Sequence, residues 1–425
     1  MTSKHFALGL FCTASLLTAA CGRIGDLEDR EGFGSLGGDA DDNGDLGEEP
    51  GSGGTISESC FDGIVQPGEI CQVQAPEELD AGIDPCSLSV ADFDGDGRPD
   101  LAVPNSDPWI TPGGTHVANV LRGYGNGDFA PTQPHAAGEE LPVGLAVGDF
   151  DGDGKTDIAT ANNASLKAFL LRNSGGVGPG MGFAAPQGVS VAATASSVTA
   201  GDFDHDGVDD IVVNTPSGVA LVRGTASGFQ ALETLDVGGA AMHSALADLD
   251  EDGWLDLVVA VSSSFGSPGR LVILHGAGDG SFPERVEHDL AGDPWWVTVG
   301  DLNMDGDLDL VVADYSVASV SILLGNALGG FSPRTQIPVC WGPQSVAIGD
   351  MNNDGANDLV VGCMDSDTVA LYLQIEDGEF ELARWWKTGS RPVSVQVADL
   401  NLDGMLDVAW ANQFSNSVGL VLSHP

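Results

Sequence analysis

Aspartates at positions 1, 3, 5 and 9 of a nine-residue string, with glycine at position 6, can close a tight loop around one centre. The chain carries such a string seven times: DFDGDGRPD from Asp92, DFDGDGKTD from Asp149, DFDHDGVDD from Asp202, DLDEDGWLD from Asp248, DLNMDGDLD from Asp301, DMNNDGAND from Asp350 and DLNLDGMLD from Asp399. Carboxylates this close repel one another unless a cation lies among them. Ca²⁺ takes about six to eight hard oxygen ligands and tolerates flexible geometry. Side chains 1, 3 and 5 would point inward, the carbonyl of residue 7 would add an oxygen, and residue 9 can bind through both carboxylate oxygens. Glycine at 6 permits the sharp turn. A catalytic carboxylate pair would occur once, and solvated Asp-Gly turns would not need a fixed ninth aspartate.

The expected ligands can be read off copy by copy. They are Asp92, Asp94, Asp96, Asp100 and the Arg98 carbonyl; Asp149, Asp151, Asp153, Asp157 and the Lys155 carbonyl; Asp202, Asp204, Asp206, Asp210 and the Val208 carbonyl; and Asp248, Asp250, Asp252, Asp256 and the Trp254 carbonyl. The later copies offer Asp301, Asn303, Asp305, Asp309 and the Asp307 carbonyl; Asp350, Asn352, Asp354, Asp358 and the Ala356 carbonyl; and Asp399, Asn401, Asp403, Asp407 and the Met405 carbonyl. Asparagine is a neutral oxygen ligand, so these last three sites carry one charge fewer and are expected to bind more weakly.

The elements that position the loops also repeat. Successive first aspartates are 57, 53, 46, 53, 49 and 49 residues apart, a spacing typical of propeller blades. An alternating apolar run such as WVTVGD or SVAIGD precedes each string, and a second run such as LVVAD follows it. A third run (VALVRG, LVILHG, VSILLG), a glycine-rich turn with phenylalanine and a more polar fourth run complete the unit. Four short antiparallel strands repeated seven times predict an all-β, seven-bladed β-propeller over residues 72–425. Phe183, Phe229, Phe282, Phe331 and Phe380 each lie 19 residues before the next first aspartate, and Val73 stands in that place before Asp92. The last copy stops after its third run. Residues of about 72–83 are therefore expected to supply its outer strand and close the ring.

The N-terminal segment reads differently. Lys4 and the apolar FALGLFCTASLLTAA form a signal peptide over residues 1–20, too short to span a bilayer as a mature helix. It ends at Ala19-Ala20-Cys21-Gly22, which resembles the lipobox of bacterial lipoproteins, with Thr18 where that family usually has an aliphatic residue. The resemblance implies lipidation of Cys21 and export to the outer membrane or cell surface; an ordinary cleaved signal with secretion is the alternative. The stretch from 21 to 59 is acidic and glycine-rich, with almost nothing to bury, and reads as a disordered tether. Residues 60–71 form a short segment bounded by Cys60 and Cys71.

The repeats resemble the FG-GAP or VCBS repeats of bacterial surface proteins and of the integrin α-subunit propeller, in all seven copies. That resemblance implies Ca²⁺ loops joining the first two strands of each blade on the lower face, and ligands bound on the opposite, upper face. CFDGIVQPGEIC at 60–71 is similar to a short cysteine-rich repeat of secreted bacterial proteins, but has Phe61 where a small residue is usual and occurs once.

Cys60 and Cys71 flank a Pro-Gly turn and can pair in an oxidising compartment. Cys340 and Cys363 both fall at upper-face ends of strands in the sixth copy and can also pair, which leaves Cys86 as a buried free thiol. Several tryptophans fall on the upper face, among them Trp295, Trp296, Trp341, Trp410 and, in the insertion PNSDPWITPGGTHV, Trp109. Of these, Trp109, Trp295 and Trp341 are the candidate ligand contacts, with packing between blades as the alternative.

Charge narrows the function classes. With 63 acidic and 15 basic residues the formal charge is -48, which repels nucleic acid. The eight histidines are scattered, and no nucleophile–base motif stands out. The expected function is a calcium-stabilised, non-enzymatic and monomeric binding or adhesion module for a protein or glycan, touching a membrane only through its lipid. The alternatives are a polysaccharide hydrolase or lyase on a propeller scaffold, and a purely structural surface protein.

Overall fold

A computed structural model describes residues 76–106, 116–139, 141–176, 182–191, 193–262, 268–376 and 378–424. Seven four-stranded antiparallel sheets make the molecule all-β, with only two single-turn 3₁₀ helices, Tyr315–Val317 and Met364–Ser366, among the described residues. Each sheet is one blade of a propeller. Blades one to six take their four strands in sequence order; blade three, for example, runs Ser197–Gly201, Asp210–Thr215, Gly218–Arg223 and Gln230–Leu235. Among the described residues, no helix is long and apolar enough to cross a membrane.

Burial follows position in the blade. Second strands such as Asp157–Asn162 and Asp407–Asn412 are buried along their whole length, because neighbouring blades cover both faces. They accordingly read as continuous apolar runs rather than alternating ones. Outer strands such as Thr335–Pro338 are mostly exposed. Apolar clusters form between blades: Val212, Leu221 and Phe203 of blade three pack with Leu257, Val259 and Val272 of blade four. The inner strands surround a central cavity of about 530 Å³, lined in part by Ser197, Thr199, His243, Trp296, Gln344 and Gln396.

The ring closes as the phenylalanine offsets predict. Glu77–Asp80 pairs antiparallel with Ser417–Val421 as the outer strand of blade seven, in the register Glu77 to Leu420 and Asp80 to Ser417. The Glu78 carboxylate accepts hydrogen bonds from Asn412 Nδ2 at 2.9 Å and from the Ser417 hydroxyl. Beyond that strand, the Ala81 carbonyl accepts from Asn105 Nδ2 at 2.8 Å and Asn119 Nδ2 at 2.9 Å, tying the closing strand to blade one as well.

Candidate metal loops and the opposite face

Each aspartate string forms the turn between the first and second strands of its blade, and the aspartates organise the turn before any ion is considered. The first aspartate caps it: Asp92 Oδ2 accepts from Gly97 N at 2.8 Å, and the same bond recurs at Asp149, Asp202, Asp248, Asp301, Asp350 and Asp399. The fifth accepts from the amide of residue 7, as Asp206 Oδ1 does from Val208 N at 3.0 Å. The ninth is fully buried in every blade. One of its oxygens accepts from an amide in or just after the third strand, as in Gly224 N to Asp210 Oδ1 at 2.8 Å. In six blades the other accepts from the amide of residue 2, as in Phe203 N to Asp210 Oδ2 at 3.2 Å. The ninth aspartate therefore clamps three strands together, a role its spacing alone did not disclose.

Two further positions matter. Residue 2 is always apolar and plugs the loop into the core; Phe93, Phe150 and Phe203 meet Phe183, Phe229 and Phe282 of the following blades at 6.0, 5.4 and 5.9 Å. Residue 4 is left-handed in all seven loops, yet only Gly95 and Gly152 are glycine; His205, Glu251, Met304, Asn353 and Leu402 hold φ near 54–60°. Glycine at residue 6 is also left-handed, with φ of 87° at Gly207, where an added Cβ would meet nothing within 4 Å. Conformation, not space, requires that glycine.

The donor set fits a hard divalent cation. Asp92, Asp94 and Asp96 bring one carboxylate oxygen each within 4.8 Å of one another, as do Asp149, Asp151 and Asp157; Asp202, Asp204 and Asp206; and Asp248, Asp250 and Asp252. Ligands at about 2.3–2.6 Å from one ion span such distances. Asp157 Oδ2, Asp204 Oδ1 and Asp301 Oδ1 are buried without a hydrogen-bond partner, which leaves lone pairs for an ion. Burial, with the other loop carboxylates, pushes Asp157, Asp210 and Asp358 up to about 7 and Asp100 and Asp407 up to about 6. A bound cation would offset that penalty by holding the carboxylates ionised.

The opposite end of the blades carries the aromatics. Trp341 is 73% exposed, and its carbonyl accepts from Ser366 Oγ at 3.0 Å. The next residue, Gly342, lies so close to Asp365 that a Cβ there would sit 2.7 Å from its carboxyl carbon. Asp365 accepts from Tyr315 Oη at 2.8 Å, and burial together with that bond pushes Tyr315 up to about 12. Arg391 lies 4.7 Å over the Phe414 ring, which is 46% exposed. Blades five, six and seven thus share one aromatic and charged cluster.

Other tryptophans correct the sequence reading. Trp295 is only 9% exposed and stacks on Tyr315 at 4.5 Å, so it packs rather than offering a face to a ligand. Trp410 is fully buried between blades six and seven. Trp296 stacks on His243 at 3.7 Å beside the central cavity; burial pushes His243 down to about 4, leaving it neutral above that pH. Cys340 and Cys363 form a disulfide. Cys86 is disulfide-bonded too, which overturns its reading as a free thiol. Asn105 and Asn162 bond the carbonyls of Ala81 and Ala137 in the segments that precede their blades' first strands, while Asn412 bonds Glu78 in the outer strand of its own blade. Trp109, Cys21, the tether and the Cys60–Cys71 pair lie outside the described residues.

Comparison with known proteins agrees with this architecture. Among curated proteins, none matches the chain in sequence. Two solved structures of BBS1N in complex with ARL6DN, soaked with mercury and with lead, share the fold at TM-scores of 0.56 and 0.55, with 12% and 13% identity, over 83% of this chain and 97% of theirs. An Agrocybe aegerita lectin, described as recognising non-reducing terminal N-acetylglucosamine, aligns at a TM-score of 0.48 and 19% identity, over 83% of this chain and 90% of its own. The FG-GAP-like repeat family matches residues 109–160, 149–213, 248–312, 301–361 and 350–410, and the FG-GAP repeat matches residues 87–117. With most of the propeller so matched, the chain belongs to the FG-GAP-like repeat family.

Proposed function

We propose that this protein is a calcium-stabilised, non-enzymatic binding module, exported and displayed at the cell surface, that engages a glycan or protein through the upper face of blades five to seven. The observation that carries the reading is Trp341, a large aromatic held in solvent by a turn braced on Asp365, with Phe414 and Arg391 in the same cluster. Exposed aromatic rings stack on sugar faces or anchor protein partners, while nearby polar groups orient the ligand. The aspartate loops stand at the other end of the blades and serve as staples, each held by bound calcium.

A glycan array and a pull-down from the native surface, run with wild-type protein and a Trp341→Ala/Phe414→Ala variant, test the reading. The variant should melt like wild type and lose at least about tenfold in affinity, since hot-spot aromatics are each worth about 2 kcal/mol or more. Undiminished binding by the double variant would remove this face from the proposal.

A further inference from the structure

The residue just before the amide that bonds the ninth aspartate, in or next to the third strand, sorts the seven loops into two kinds. In blades one to four it is Arg122, Arg172, Arg223 and His275; in blades five to seven it is Leu324, Leu373 and Leu422. The basic residues occur only where the third loop position is aspartate, and the leucines only where it is asparagine.

The contacts explain the match. Arg122 Nε lies 2.5 Å from Asp94 Oδ2, and its Nη2 donates to Asp96 Oδ2 at 2.6 Å. Arg172 Nε lies 3.4 Å from Asp151, and Arg223 pairs with Asp204. The side chains of Asp94 and Asp204 are 0% and 3% exposed, so each would be a costly isolated charge without its guanidinium. His275 takes the same place in blade four, 3.8 Å from Asp250 and 3.3 Å from Asp256. In blades five to seven the asparagine makes its own bond instead. Asn303, Asn352 and Asn401 each donate through Nδ2 to the fifth-position aspartate at 2.9, 2.9 and 3.0 Å, the carboxylate Arg122 reaches in blade one.

We propose that the third-strand residue is a built-in counter-charge matched to the third loop position, so that the extra carboxylate of an aspartate-type loop does not make it more negative toward an incoming divalent cation than an asparagine-type loop. Counting positions 1, 3, 5 and 9 with the third-strand residue, four carboxylates less Arg223 leave three negative charges in blade three, as do three carboxylates beside a leucine in blades five to seven; Arg98 on Asp96 and Lys155 on Asp153 take blades one and two one charge lower, and His424 stands 3.2 Å from Asp403 in blade seven. On this basis the asparagine sites do not bind more weakly on charge grounds, against the expectation from counting aspartates alone. These arginines are positioning residues acting through the third-position carboxylate.

Two charge-swap cycles test this, one per class: Arg223→Leu, Asp204→Asn and the pair in blade three, and Leu324→Arg, Asn303→Asp and the pair in blade five. Melting of metal-free protein is the first readout. Arg223→Leu and Asn303→Asp should each lower Tm by several degrees, as expected when a buried charge loses or lacks its partner; each paired variant should recover to within about a degree of wild type. Calcium bound per chain at fixed free calcium is the second. Arg223→Leu should tighten its site and Asp204→Asn weaken it, each by about tenfold or more, while the pair stays within about threefold of wild type. Additive effects in both cycles would overturn the inference. The calcium arm rests on the proposed metal role: wild-type protein that binds no calcium would sink that role, while the metal-free cycles would still decide the charge matching.

Discussion

Raising the pH of metal-free protein from 5 to 8 should lower its melting temperature by about 6 °C, at roughly 2 °C per kcal/mol for a domain of this size. The perturbation acts on the ninth aspartates. Burial puts Asp157, Asp210 and Asp358 at about 7 and Asp100 and Asp407 at about 6, all above the ordinary carboxylate value of 3.8 that the unfolded chain would show. A folded-state pKa raised in this way stabilises the fold at low pH, and that contribution is lost as the pH climbs through 6 to 7. Each pH unit across which a group holds its proton only when folded is worth up to about 1.4 kcal/mol. Between pH 5 and 7 the three higher groups have a ceiling of about 2.7 kcal/mol each. The loops lie at the surface and can open to water once charged, which cuts this to about 0.8 kcal/mol each, and the ceiling of about 1.4 kcal/mol for Asp100 and Asp407 to about 0.4 kcal/mol each, or about 3 kcal/mol in all. Ordinary carboxylates are already ionised at pH 5 and add little to the slope. The assay is a thermal melt of protein stripped with EDTA at pH 8 and exchanged into metal-free buffers, beside a calcium-saturated series. Protons compete with metal for the same oxygens, so the calcium series should be flat or rise with pH. Asp210→Asn should remove about a quarter of the metal-free slope. A flat metal-free profile, or equal slopes with and without calcium, would refute the reasoning.

Two other outcomes follow from the same structure. Glu78→Ala takes the acceptor from Asn412 Nδ2 and the Ser417 hydroxyl; it should cost about 1–3 kcal/mol and speed proteolysis near residue 81, and an unchanged protease profile would argue against ring closure through this strand. Replacing Cys340 and Cys363 with serine opens a loop with a sequence separation of 23, for an expected loss of about 3 kcal/mol in denaturant melts; no loss would show that blade six is held by its strand pairing alone.

Much of the propeller was legible because repetition supplies its own internal control. Seven copies fixed the blade count and the offset of Phe183 and its equivalents located the closing strand, since a period is a geometric statement. The loop chemistry was legible at positions 1, 3, 5, 6 and 9 for the same reason. The left-handed residue 4 was hidden because histidine, glutamate, methionine, asparagine and leucine all occupy it, and the ninth aspartate's grip on the third strand was hidden because its partners are backbone amides. The tryptophans could not be sorted by pattern. Trp295 lies at the start of one inner strand and Trp341 just before another, yet the first stacks on Tyr315, which follows the second strand of the same blade, and the other is exposed; residue type and spacing carry no record of that contact. Cys86 was assigned by elimination, which says nothing about distance.

The shared seventh blade also dictates an order of events as the chain folds. Glu77–Asp80 pairs with residues more than three hundred positions later, Glu77 with Leu420 among them, so the last blade cannot be completed until everything between has been made. Contacts so distant in sequence are slow to form. Until then the early strand must wait beside blade one, where Asn105 and Asn119 hold the Ala81 carbonyl. Its sequence, EELD, has three acids in four residues. Two unfinished chains that met along this edge would face like charge against like charge, so the strand that must wait longest is also poorly suited to pairing with a copy of itself.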